Sequence, residues 1–182
     1  MRRNRGFTLT EILVVIAIIA VLAGSSVSIL SAFMRNQALR QAGGFLETQF
    51  MRARQVSTSE RAVHFLVLDS GRNSVNLWTD ADGDRAFDPA SDRPAGAEDP
   101  LPKHVRFAPA LGGTLFDKAG LAVLTFYPDG SCVLPGPKTM FAPDLGAGSA
   151  DLVLEQENQT QWLFVDLSPG TGKVSKQALR SK

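Results

Sequence analysis

Four carboxylates, Asp80, Asp82, Asp84 and Asp88, stand at near-alternate positions around Gly83. Clustered hard oxygen ligands are what calcium requires, so this stretch is the candidate metal site of the chain. It departs from the EF-hand pattern, because glycine comes too early and no glutamate closes the loop. Asp and Gly also build turns without any ion, and the sequence leaves both readings open. His64 and His104, the only histidines, fall in strand-like segments where a structural imidazole is expected, with no nucleophile motif beside them. Gly130-Ser131-Cys132 lacks the glycine that would complete an esterase elbow. Gly170-Thr171-Gly172-Lys173 lacks the spacing of a phosphate-binding loop. Cys132, the single cysteine, forbids an internal disulfide and reads as a small buried hydrophobe. Asn158-Gln159-Thr160 has the form of a glycosylation sequon but fits a hairpin turn. These residues assemble no catalytic constellation, so the expectation is a protein that is not an enzyme and has no cofactor beyond the open question of calcium. The last ten residues carry Lys173, Lys176, Arg180 and Lys182 and no acid. That charge suffices for weak, salt-dependent contact with phosphate; a solvated tail is the favoured account.

The elements that must hold these residues differ sharply along the chain. All ten prolines of the 182 residues lie at or after Pro89, and residues 1–61 have none. The first region is one long helical pattern, and residues 62–182 are short apolar runs broken by Gly, Pro, Asn and Asp. Nineteen Lys and Arg against eighteen Asp and Glu give a net charge of +1, too balanced for a broad nucleic-acid face. Arg2, Arg3 and Arg5 precede an apolar run, Ile12–Ala23, and the charge-free window continues to Met34. About 20 such residues, at roughly 1.5 Å each, cross a ~30 Å hydrocarbon core. The leading arginines place the amino terminus on the cytoplasmic side. Glu11, at the edge of this run, costs roughly 2.5–3.5 kcal/mol to insert and has no partner in its own segment. A neighbouring subunit's amine would neutralise it, as would a place in the headgroup layer. Gly24-Ser25-Ser26-Val27-Ser28 offers a weak helix breakpoint.

From Arg35 the pattern turns amphipathic, with Leu39, Ala42, Leu46, Phe50 and Ala53 on one face. A single helix over about Leu9–Ser57 follows, with Gly43-Gly44 marking either a close contact or a tolerated weakness. Strands are predicted at Ala62–Asp69, Ser74–Thr79, His104–Ala108, Ala122–Tyr127, Ser131–Leu134, Leu152–Gln156 and Gln161–Leu167. Hairpin chemistry at Pro128-Asp129-Gly130 and Glu157-Asn158-Gln159 makes the pairing antiparallel. The fold class is α+β, a long helix packed on an antiparallel sheet domain.

The stretch Arg5-Gly6-Phe7-Thr8-Leu9-Thr10-Glu11-Ile12-Leu13-Val14-Val15-Ile16-Ala17-Ile18-Ile19 closely resembles the leader and amino-terminal helix of type IV pilins and type II secretion pseudopilins. The rest is similar, at lower specificity, to the GspH/FimT group: arginines from Arg52 to Arg61, an aspartate-rich loop Asp80–Asp88, Thr125-Phe126-Tyr127-Pro128-Asp129-Gly130, and Thr171-Gly172-Lys173-Val174 after a strand. The resemblance implies a leader 1–6 cut by prepilin peptidase between Gly6 and Phe7, with methylation of the Phe7 amine. It implies a transmembrane and assembly half at 7–34, an amphipathic half at 35–61 and a periplasmic domain at 62–182. Glu11 would pair with the amino terminus of an adjacent subunit, and other pseudopilins or pilins and an inner-membrane assembly platform would be partners. Removing the leader takes the cations from nineteen to sixteen and leaves a net charge of −2. The chain departs from many relatives in having no proline in its membrane helix. Major pseudopilins bind calcium in a different loop, and FimT-like proteins bind DNA through a basic tail. Two other readings stand beside a minor pseudopilin of the inner membrane. One is a minor pilin of a type IV pilus; the other is an exported domain cut by an ordinary signal peptidase after Ala23.

Overall fold

The computed structural model describes residues 9–109, 115–135, 151–157, 161–168 and 173–181, with 25–36, 161, 173 and 176–181 described by their backbone alone. Helix α1 spans Leu9–Glu60, about one turn past the expected end. Two compact units divide at Gln37 and Ala38. The first contains the apolar start of α1. Gly24 interrupts nothing: the helix continues through it, and a side chain there would meet no atom within 4 Å. Gly44 is equally unencumbered, so tolerance rather than close packing accounts for it.

The second unit begins inside the helix because that is where the core begins. Leu39, Ala42, Leu46 and Ala53 are 0% exposed and Phe50 1%, the stripe expected from three- and four-residue spacing. Full burial of each large side chain contributes roughly 1.5–3 kcal/mol. The helix ends where Arg61 turns left-handed (φ 54°), the conformation that stops a helix. The Ser57 hydroxyl lies 2.9 Å from Ala62 O and 3.0 Å from Phe126 O, tying this end to the first sheet.

That sheet is built from β1 (His64–Asp69), β2 (Ser74–Thr79), β3 (Arg93–Pro94), β4 (Asp99–Pro100), β6 (Leu121–Phe126) and β7 (Cys132–Val133). Its order is β3-β2-β1-β6-β7, with β4 also on β2. The second sheet contains β5 (Val105–Phe107), β8 (Leu152–Gln156), β9 (Gln161–Ser168) and β10 (Lys173–Ser181), in the order β10-β9-β8-β5. Every pairing described is antiparallel. The period-two rule places Leu66, Leu124, Leu154 and Val165 in one core with the helix stripe.

Three expectations are corrected. The basic tail is not solvated coil; it forms β10, held by antiparallel pairing to β9 with a register shift between Gln177 and Arg180. His104 is not a strand residue but an exposed turn residue with φ 67°, just ahead of β5. The two-residue strands β3 and β4 were not expected, since their prolines speak against strands; both lie against β2 at the sheet edge.

Candidate functional site

Among the described residues, the amino-terminal stretch of α1 has an exposed apolar surface. Ile12, Leu13, Val14, Val15, Ile16, Ile18, Ile19, Val21 and Leu22 are all 49–74% exposed. So continuous an apolar surface marks a place where lipid or another helix belongs. Among the described residues no helix is long and apolar enough to cross a membrane. Glu11 is the acidic residue of the first turn, where the helix dipole favours negative charge. Gly6 and Phe7 lie outside the described residues.

The aspartate loop is brought together in part. Asp80, Asp82 and Asp84 each have a carboxylate oxygen within 4.8 Å of the others; Asp88 does not join them and caps its own turn, accepting from Ala90 N at 2.9 Å. The three carboxylates are engaged by backbone amides. Asp80 accepts from Gly83 N at 2.7 Å and Arg85 N at 3.1 Å. Asp82 accepts from Asp84 N at 3.2 Å and Asp84 from Ala86 N at 2.7 Å. The Asp84 amide, helped by the Ser91 hydroxyl, holds the Asp82 carboxyl below its usual range. Asp92, which the sequence did not single out, accepts from Ala81 N and Asp88 N and so closes the loop at its base. Phe87 anchors the loop on the outer face of the first sheet. It packs edge-on against Phe65 (5.7 Å between centroids) and Trp78 (5.4 Å). An aromatic inside an Asp-rich stretch was the available signal for this fixing.

The other candidates separate. Lys173, Lys176 and Arg180 occupy β10 opposite Ser168, Val165 and Trp162; Lys182 lies outside the described residues, as does the sequon at 158–160. Cys132 is buried, and burial pushes its thiol up to about 12 despite the opposing charge of Arg54. His64 is fully buried, its Nδ1 3.1 Å from Ala62 O and its Nε2 3.2 Å from Glu60 Oε2. The Nε2 contact is out of line for a hydrogen bond. His64 thus joins the helix end to β1, as expected of a structural histidine. Sequence reasoning also missed the contact of Asp99 with α1, where Gln49 donates to Asp99 Oδ2 at 2.8 Å and Arg52 lies 3.4 Å from the same oxygen.

No curated protein and no solved structure matches the chain. Residues 1–27, which contain the predicted cleavage site and Glu11, match the family model of the prokaryotic N-terminal methylation motif. That match supports a type IV pilin-like protein, and the motif implies processing by prepilin peptidase and assembly with other pilins; the antiparallel sheets that follow the helix are consistent with a pilin-like α+β fold.

Proposed function

We propose that the chain is a minor pseudopilin of the GspH type, which polymerises through its helix near the tip of a type II secretion pseudopilus and supports protein export. The observation that carries this reading is the methylation motif over residues 1–27, within which α1 exposes an apolar run of side chains from Ile12 to Leu22. In this reading, the leader is cut between Gly6 and Phe7 and the amine of Phe7 is methylated. The charge-free sequence from Ile12 to Met34 anchors the chain in the inner membrane, with the domain in the periplasm. On extraction by the assembly platform, contacts between helices replace lipid contacts. Glu11 takes up the amine of an adjacent subunit, removing the cost of an isolated carboxylate in an apolar phase. The action is mechanical, with no catalytic residue and no cofactor.

The test is intact mass and amino-terminal sequencing of the protein from its native membrane, followed by deletion of its gene. A chain beginning at methylated Phe7, with loss of secretion and intact pili, supports the proposal. A chain beginning at Gly24 overturns it. Lost pili with intact secretion moves the assignment to a minor pilin of a type IV pilus. The cation-rich β10 segment favours that second reading in its DNA-binding, FimT-like form. DNA retention that falls when Lys173, Lys176, Arg180 and Lys182 are neutralised supports it.

A further inference from the structure

A cleft of about 510 Å³ lies between the end of α1, the aspartate loop and the β6–β7 turn, lined among others by Arg61, Asp80, Arg85, Tyr127 and Asp129. Among the described residues four non-glycine residues have left-handed backbones, and two of them, Arg61 (φ 54°) and Arg85 (φ 65°), line this cleft. Glycine or asparagine adopts that conformation at lower cost than arginine. The Arg61 conformation ends the helix; outliers such as Arg85 concentrate at functional sites. Among the described residues neither arginine side chain has an ion-pair or hydrogen-bond partner. The carboxylates beside them are directed elsewhere. Asp80 accepts from the amides of Gly83 and Arg85, and Asp129 accepts from Ser131 N at 2.8 Å and is held below its usual range by the Ser131 hydroxyl and amide.

We propose that this cleft binds a single carboxylate of a protein partner, with Arg61 and Arg85 as its two guanidinium donors and Tyr127 as the wall against which the aliphatic stem packs. Planar guanidinium pairs with carboxylate by two parallel hydrogen bonds, which gives orientation as well as attraction. The half-buried Tyr127 supplies an apolar body with a polar tip. The neighbouring charges decide the class of partner. Asp82 and Asp84 are exposed on the loop that forms one wall, so a polyanion such as nucleic acid meets more repulsion on approach than a single carboxylate does. The proposal draws on the pilin-like reading only to name the carrier, an acidic side chain or chain terminus on an adjacent filament subunit.

The test uses the full chain in detergent micelles, with the arginine Nε–Hε signals followed by NMR. The probes are N-acetyl-glutamate methylamide, its glutamine counterpart, inorganic phosphate and a thymidine oligonucleotide. The expected result is saturable shifts of the Arg61 and Arg85 signals with the glutamate probe and none with glutamine. R61G and R85G should each weaken binding at least fivefold, and the double variant should abolish it. Glycine suits both backbone positions, so melting temperatures should hold. A drop in melting temperature would assign the arginines to the fold and overturn the proposal. So would the absence of saturable shifts, wild-type binding by the double variant, or tighter binding of phosphate or oligonucleotide. None of these outcomes bears on the first residue of the mature chain, which tests the filament reading separately.

Discussion

Replacing Leu46 and Leu13 by alanine makes the same chemical change at two places on one helix and should give opposite phenotypes. Leu46 is 0% exposed in the core, whereas Leu13 is 61% exposed. Truncating a fully buried leucine removes its transfer free energy and leaves a cavity between the helix and the sheets, about 2–5 kcal/mol together. With a urea dependence near 2 kcal/mol/M, a loss of about 3 kcal/mol lowers the midpoint by roughly 1.5 M. Leu13→Ala should move it by less than about 0.3 M, since an exposed side chain changes stability by no more than ~0.5 kcal/mol. Its defect should appear in filament incorporation. Tryptophan fluorescence of the full chain in micelles reads the transition from both sheets, through Trp78 on β2 and Trp162 on β9. Coincident transitions indicate one cooperative unit. Equal midpoint shifts for the two variants, or no shift for Leu46→Ala, would refute the division of the helix into a packed half and an assembly half.

Cys132 should stay inert: at pH 8 a disulfide reagent should label the native chain at least a hundredfold more slowly than the urea-unfolded one, because its thiol is pushed up to about 12. The Asp82 and Asp129 carboxyls are lowered in the fold, so what they contribute is present above the unfolded carboxylate value and lost as pH falls through the folded one. Acid titration below about pH 4 should therefore loosen both turns first, read by amide exchange at Asp84 and Ser131, and D82N or D129N should remove that pH dependence at its own turn. Glu11→Ala should leave processing at Gly6 and Phe7 intact and block co-purification with other pilin-like subunits.

The helix and its buried stripe were legible because spacing and burial are the same information: Leu39, Ala42, Leu46, Phe50 and Ala53 all lie in the core. The longer strands were legible as short apolar runs bounded by turn residues, as at β1, β2, β6, β8 and β9. Their ends were less so, since turns such as the one at His104 depend on a single backbone dihedral. β10 escaped because its amphipathic signal is weak and its stability comes from pairing with β9, a tertiary effect. At the aspartate loop the sequence supplied the acids; that their lone pairs are directed to backbone amides, with Phe87 set on Phe65 and Trp78, is decided by folding of the loop against the sheet.

The second unit begins at Ala38, so the whole buried stripe of the helix belongs to it. A pull along the helix axis reaches the domain through the stripe from Leu39 to Ala53, about 21 Å of helix. Those side chains are loaded together, as in a lap joint, and do not peel one at a time. Load applied at the stripe would thus enter both sheets at once, and the joint would yield by shearing the whole stripe.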